Sequence, residues 1–281
     1  MALLNNYIDN LTQTTLMAAL LTGILSILGY LSATFLLLKD LFKAKTRRPF
    51  LIIAWIAVSL HAINIALVTD KHQGFNFSFF STASLISLSI AILLLIAVLD
   101  KPVEKLGIVI FPLASLMLGL EIAMPEASFT TVSYSWQMST HILTSIMAFS
   151  LLNIAALQAA LLAIQDQQLR SHHPRKLIRS LPPLQAMESL LFQMIGYGLL
   201  FLSASLLTGF IFIEDLFAQH LVHKTVLSIL AWIIFSCLLI GRSRYGWRGN
   251  TAIQWTLIGF ILLLLAYFGS KLVLELILKK H

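Results

Sequence analysis

Residues Thr15–Leu38 read TLMAALLTGILSILGYLSATFLLL, and Lys39, Lys43, Lys45, Arg47 and Arg48 follow directly. The run holds 24 residues without a charged side chain, and about 20 apolar residues in a helix are enough to cross the hydrocarbon core of a bilayer. In that medium each backbone N–H and C=O must be satisfied within its own segment, so the run is a helix. The cations that end it mark the cytoplasmic side. Residues 1–14 are polar enough to lie outside the bilayer and contain Asp9 but no Lys or Arg. That beginning, and an apolar run too long for a signal core, predict a first span that stays in the membrane.

The same reading repeats along the chain. Further apolar runs fall near 50–69, 78–99, 106–124, 137–164, 185–213, 224–241 and 252–278, which predicts an all-α, polytopic integral membrane protein with eight transmembrane helices. Counting Lys and Arg by side puts 14 in the loops after the odd-numbered spans and five on the other face. This bias predicts that both termini face outside, the periplasmic side of a bacterial inner membrane. The longest connection, Gln165–Leu184, is basic and ends in Pro182 and Pro183, which break span five from span six. The loops are short, so residues 1–281 read as a single transmembrane domain.

Composition excludes several classes of function. With 58% hydrophobic and 11% charged residues and a mean hydropathy of +0.89, the chain has more apolar surface than one soluble core can hide. The net charge of +7 sits in loops between apolar runs, where it orients the chain in the lipid bilayer and does not form a nucleic-acid patch. The single cysteine, Cys237, permits no internal disulfide and reads as a small buried filler. No phosphate-binding glycine loop, dinucleotide fingerprint or zinc-protease motif is present.

Ionisable groups inside spans are costly, and each one therefore poses a question of function. His61 falls near the middle of span two with Asn64 on the same face. It reads either as a neutral histidine bonded to a neighbouring helix or as an axial ligand or proton-linked group. His141 lies about one turn inside span five, below Trp136 and Tyr134 at an aromatic interface. His220 and His223, three apart in the hinge Thr208–Thr225, fall at a similar depth, and imidazole is a common haem and metal ligand. Glu121, Glu126, Glu214 and Asp215 read as an acidic rim at that mouth. Glu188 reads as a carboxylate stabilised by the start of span six. Lys271 and Glu275 read as a neutralising pair on span eight. His172 and His173 read as solvated residues of the basic inner loop.

Several stretches together resemble a known family. They are His141 with Ile-Leu-Thr-Ser-Ile-Met-Ala-Phe-Ser after it; Leu181-Pro-Pro-Leu-Gln-Ala-Met-Glu188; Leu-Leu-Thr-Gly209; His-Lys-Thr-Val-Leu-Ser-Ile-Leu-Ala-Trp232; and Gly241-Arg-Ser-Arg-Tyr-Gly-Trp-Arg-Gly249 with Trp255 and Tyr267-Phe-Gly269. Residues 130–278 resemble the membrane core of the cytochrome c assembly, or haem-handling, proteins of the CcsA and HemX type, and are most like a YpjD-like inner-membrane branch. The resemblance implies haem as cofactor, with His141 as one outer ligand. It also implies a tryptophan-rich outer loop, and here Phe212–Lys224 contains no tryptophan. Phe212 and Phe217 stand as the aromatic contacts instead. The family's second outer histidine falls where this chain has Leu276-Ile277-Leu278, so His220 or His223 is the candidate replacement.

The function expected on these grounds is haem binding or delivery at the periplasmic face in support of cytochrome c maturation. His141, His220, His223, His61, Phe212 and Phe217 are the cofactor-binding candidates, and no covalent turnover is expected. Other subunits of a cytochrome c assembly or another membrane complex are the partners. Two alternatives come from other classes: a HemX-like, non-catalytic assembly or regulatory factor acting through the basic loop Arg170–Arg179, and a permease component of a transporter.

Overall fold

The computed structural model describes residues 2–40, 49–71, 79–124, 135–170, 182–212 and 222–269, with side chains described from residue 13 and not at 70–71. All regular structure among them is helical, and eight helices are long and apolar enough to cross a membrane. They are α1 (Ala2–Lys39), α2 (Pro49–Lys71), α3 (Phe79–Asp100), α4 (Gly107–Ala123, its span beginning at Glu104), α5 (Trp136–Arg170), α6 (Leu184–Phe212), α7 (Val222–Tyr245) and α8 (Asn250–Leu264, its span running on to Gly269). The polar leader is already helical from Ala2, although the membrane-length part of α1 is Gln13–Lys39. At the other end, α8 passes at Leu265–Gly269 into a π turn. Residues 270–281, with Lys271 and Glu275, lie outside the described part, as do His172 and His173.

The chain divides into two compact units, residues 1–133 and 134–281. In the first, α1 packs against α2 and α4, and α3 against α4 and α2. Apolar area gives helices little reason to associate in lipid, so close backbone approach and interhelical hydrogen bonds do the joining. Gly29 is one such point, because a Cβ there would sit 2.8 Å from the Cβ of Ala57. That approach lets Ser26 donate to the Ala57 carbonyl at 2.8 Å, while Asn64 donates to the Ala19 carbonyl at 2.6 Å. Pro49 occupies the first position of α2, where its missing N–H costs no helical bond.

In the second unit α5 packs against α6 and α8, and α7 against α6 and α8. The Pro183 carbonyl starts α6 by accepting the N–H groups of Ala186 and Met187. The π turn brings Tyr267 onto Phe149, ring centroids 4.7 Å apart. Cys237 is exposed, not a buried filler. The buried face of α7 is Ala231, Phe235, Leu238 and Gly241, spacings of three and four that leave residue 237 off that face.

Candidate functional site

His141 lies in the second turn of α5, which starts at Trp136. Its Nδ1 is 2.9 Å from the carbonyl oxygen of Ser205 and 3.3 Å from Oγ1 of Thr208, both on α6. A carbonyl oxygen only accepts, so Nδ1 carries the ring proton and donates it, which leaves Nε2 with its lone pair. The ring is half-buried. It lies against Gly209, where a Cβ would come within 3.0 Å of Cε1 and 3.3 Å of Nδ1. This is a close approach that only a glycine leaves unstrained.

The residues around this ring follow from helical spacing on α6. Ser205, Thr208, Gly209 and Phe212 recur at three and four residues and so face α5 together. Ser205 Oγ meets Ser145 Oγ at 2.6 Å, one turn further along α5 than His141. The hydroxyl of Tyr267 is also hydrogen-bonded to Ser145. At the other end, Trp136 and Phe212 form an edge-to-face pair with centroids 5.8 Å apart. The site thus has a fixed imidazole flanked by a glycine, two serines and a tyrosine one turn further along α5, and an aromatic pair at the start of that helix.

Of the residues expected from sequence, the structure brings His141 and Phe212 into this site. His223 is exposed in the first turn of α7, a helix that packs on α6 and α8. His220 and Phe217 lie outside the described residues, as do Glu126, Glu214 and Asp215. Among the described residues no group of three or more His, Cys, Asp or Glu side chains gathers to hold a bare metal ion. Ser205, Thr208, Gly209 and Tyr267 were not anticipated as site residues. The signal of the first three was present as small polar groups and a glycine interrupting the apolar run of α6, and Tyr267 follows α8.

His61 has a different setting. It is fully buried in the first unit, with Nδ1 3.2 Å from the hydroxyl of Tyr30 on α1 and Nε2 2.9 Å from Oγ of Ser84 on α3. Both ring nitrogens are therefore engaged in joining three helices. Glu121 does not line an open rim: its carboxyl is hydrogen-bonded to Ser84 and Ser81 and its Oε2 is buried. A carboxyl group in lipid turns toward hydroxyl donors because the bilayer supplies none.

Glu188 has specific partners beyond the start of its own helix. It is buried, accepts the N–H of Gly249 at 3.0 Å, and lies 3.6 Å from Arg242 and 3.7 Å from Arg248. Gly246 and Gly249 take φ of 67° and 59°, a region in which other residues are strained. The carboxylate therefore anchors the tight α7–α8 turn to α6.

The cytochrome C assembly protein family matches residues 44–278 of this chain. Inner membrane protein YpjD of Escherichia coli K12 is 34% identical over 235 residues, 82% of this chain and 88% of its own length. Protein HemX of Brevibacillus brevis is 26% identical over 158 residues, 54% of this chain and 58% of the relative. Cytochrome c biogenesis protein CcsA of Chlamydomonas reinhardtii is 26% identical over 183 residues, 62% of this chain and 50% of the relative. No solved structure matches. Eight membrane-length helices together with the likeness to an inner-membrane protein make this a multi-pass inner-membrane protein.

Proposed function

This chain belongs to the cytochrome c assembly protein family, and from that premise we propose that it binds haem through Nε2 of His141 and holds or passes it at the periplasmic face in support of cytochrome c maturation. The observation that carries the reading is the bond from Nδ1 of His141 to the Ser205 carbonyl. A histidine that ligates iron donates its other N–H to a carbonyl or carboxylate, which sets the tautomer and the ring plane and raises the basicity of the ligating nitrogen. Haem iron accepts such an imidazole as an axial ligand. Trp136 and Phe212 supply flat apolar contact at the mouth, and Gly209 keeps the ring's flank clear. His220 or His223 would supply a second nitrogen ligand in this reading. The chain itself does no covalent chemistry, and other membrane subunits receive or donate the haem.

The test is haem titration of the detergent-purified chain, read in the Soret region. A histidine-ligated spectrum is expected in the unaltered protein and in Ser205→Ala, and is lost in His141→Ala. The same weak spectrum from the unaltered protein, His141→Ala and an unrelated eight-span protein would overturn the reading.

The tryptophan-free loop Phe212–Lys224 supports a second reading, an assembly or regulatory factor acting through the basic segment Arg170–Arg179. Neutralising Arg170, Arg175, Lys176 and Arg179 would then abolish the cellular phenotype, and His141→Ala would leave it intact.

A further inference from the structure

Four polar side chains in the first unit form one hydrogen-bonded line through apolar helices: Tyr30 on α1, His61 on α2, Ser84 on α3 and Glu121 on α4. The links are Tyr30 Oη to His61 Nδ1 at 3.2 Å, His61 Nε2 to Ser84 Oγ at 2.9 Å, and Ser84 to the Glu121 carboxyl. Tyr30, His61 and Ser84 are each fully buried, and Oε2 of Glu121 is buried without a partner among the described residues. The site described on α5 and α6 uses none of them.

Proton counting restricts how the line is arranged. Ser84 has a single hydroxyl proton. While Glu121 is a carboxylate, that proton is drawn to it, because a bond to a charged acceptor is the stronger one. Ser84 then offers His61 only lone pairs, so Nε2 is the protonated nitrogen and Nδ1 accepts from the Tyr30 hydroxyl. When Glu121 takes up a proton, its new O–H donates to Ser84 Oγ. The Ser84 proton turns to Nε2, the ring gives up its Nε2 proton and takes one at Nδ1 by exchange with its hydroxyl partners, and Nδ1–H donates to the Tyr30 oxygen. One proton is gained in all, at Glu121, and the histidine stays neutral in both states.

We infer that Glu121 is a proton-binding site inside the membrane part of the first unit, and that Ser84 transmits its protonation to the tautomer of His61 and so to the contact between α1 and α2. An alkali cation needs lone pairs turned inward, and the serine hydroxyls beside this carboxyl donate to it instead. No charged side chain of the four helices faces Glu121 among those described. Lys39 and Asp40 close α1, Asp100 closes α3 with Lys101 after it, and Glu104 and Lys105 precede α4. α1 and α4 run antiparallel, with Gly107 against Leu37 and Gly119 against Ile27. These groups are therefore at the opposite end of the unit, about 25 Å along α4 at 1.5 Å per residue. Tyr7, Asp9, Asp70, Lys71, His72 and Glu126 lie outside the described side chains.

The test uses the full chain in lipid nanodiscs. Glu121 is followed by its carboxylic C=O infrared band and His61 by ring ¹⁵N resonances, each assigned by its disappearance in Glu121→Gln and His61→Gln. As pH falls, the Glu121 band is expected to appear together with a change of His61 from the Nε2–H to the Nδ1–H form. Glu121→Gln, whose amide donates as the acid does, should hold His61 in the Nδ1–H form at every pH. Ser84→Ala should keep the carboxyl titration and lose the histidine response. A His61 signal that is indifferent to Glu121, a response that survives Ser84→Ala, or a change driven by sodium at constant pH would each overturn the inference.

Discussion

His61 and His141 are both histidines in apolar helices, and the structure gives them opposite settings. His61 is sealed among α1, α2 and α3 with both nitrogens bonded to hydroxyls. His141 is half-buried, bonds through one nitrogen to a backbone carbonyl, and keeps the other as a base. A hydroxyl partner can donate or accept and so leaves the ring's tautomer free to change, whereas a carbonyl settles it. The first setting suits a joint between helices that responds to a neighbour's proton. The second suits a ligand.

The largest expected effects come from exchanging the two roles. His61→Ala leaves Tyr30 and Ser84 without their shared partner and opens a cavity between three helices, a loss of about 3 kcal/mol. Melting of the detergent-purified chain should fall clearly while haem titration is little changed. His141→Ala should do the reverse, weakening haem binding by more than the ~10–100-fold that follows loss of a merely supporting group, with a small change in melting. Equal effects of the two substitutions on haem binding would erase the distinction.

A smaller effect is expected at the glycine wall. Gly209→Val sets a branched side chain where a Cβ already lies 3.0 Å from His141 Cε1, so the ring must swing from the Ser205 carbonyl. Haem affinity should fall about tenfold, equivalent to roughly 1.4 kcal/mol, in the same titration. Unchanged affinity would mean that the ring's position is not what the site depends on.

Ser205→Ala is the mildest change. It removes the 2.6 Å bond to Ser145 at a cost of about 1 kcal/mol, but keeps the carbonyl that holds His141. Slightly lower melting with unchanged haem affinity is expected. A large loss of affinity would move the orienting role from backbone to side chain.

The histidines also show what could be read in advance. His61 and His141 stand out in the sequence because an ionisable group inside an apolar run is costly, and Phe212 because it opens the tryptophan-free loop where the family resemblance implies aromatic contacts. The pairing of His141 with Ser205 and Gly209 did not stand out. Those residues are 64 and 68 positions away by number, and many small residues in such helices serve only for packing. Glu121 was read as lining a rim because position along a helix gives depth, whereas its rotation is set by the serines of α3. The exposure of Cys237 escapes the sequence for the same reason: in a span apolar on every side, periodicity does not distinguish the exposed face from the buried one.

Sequence alone determined the number of spans, their approximate limits and the family, since the bilayer requires long uninterrupted apolar helices and leaves few alternatives. Tertiary structure decided which nitrogen of each histidine is occupied, which carboxyl group is turned inward, and where a glycine admits a ring. Those depend on helix rotation and on contacts between residues far apart in the chain, about which hydropathy carries no information.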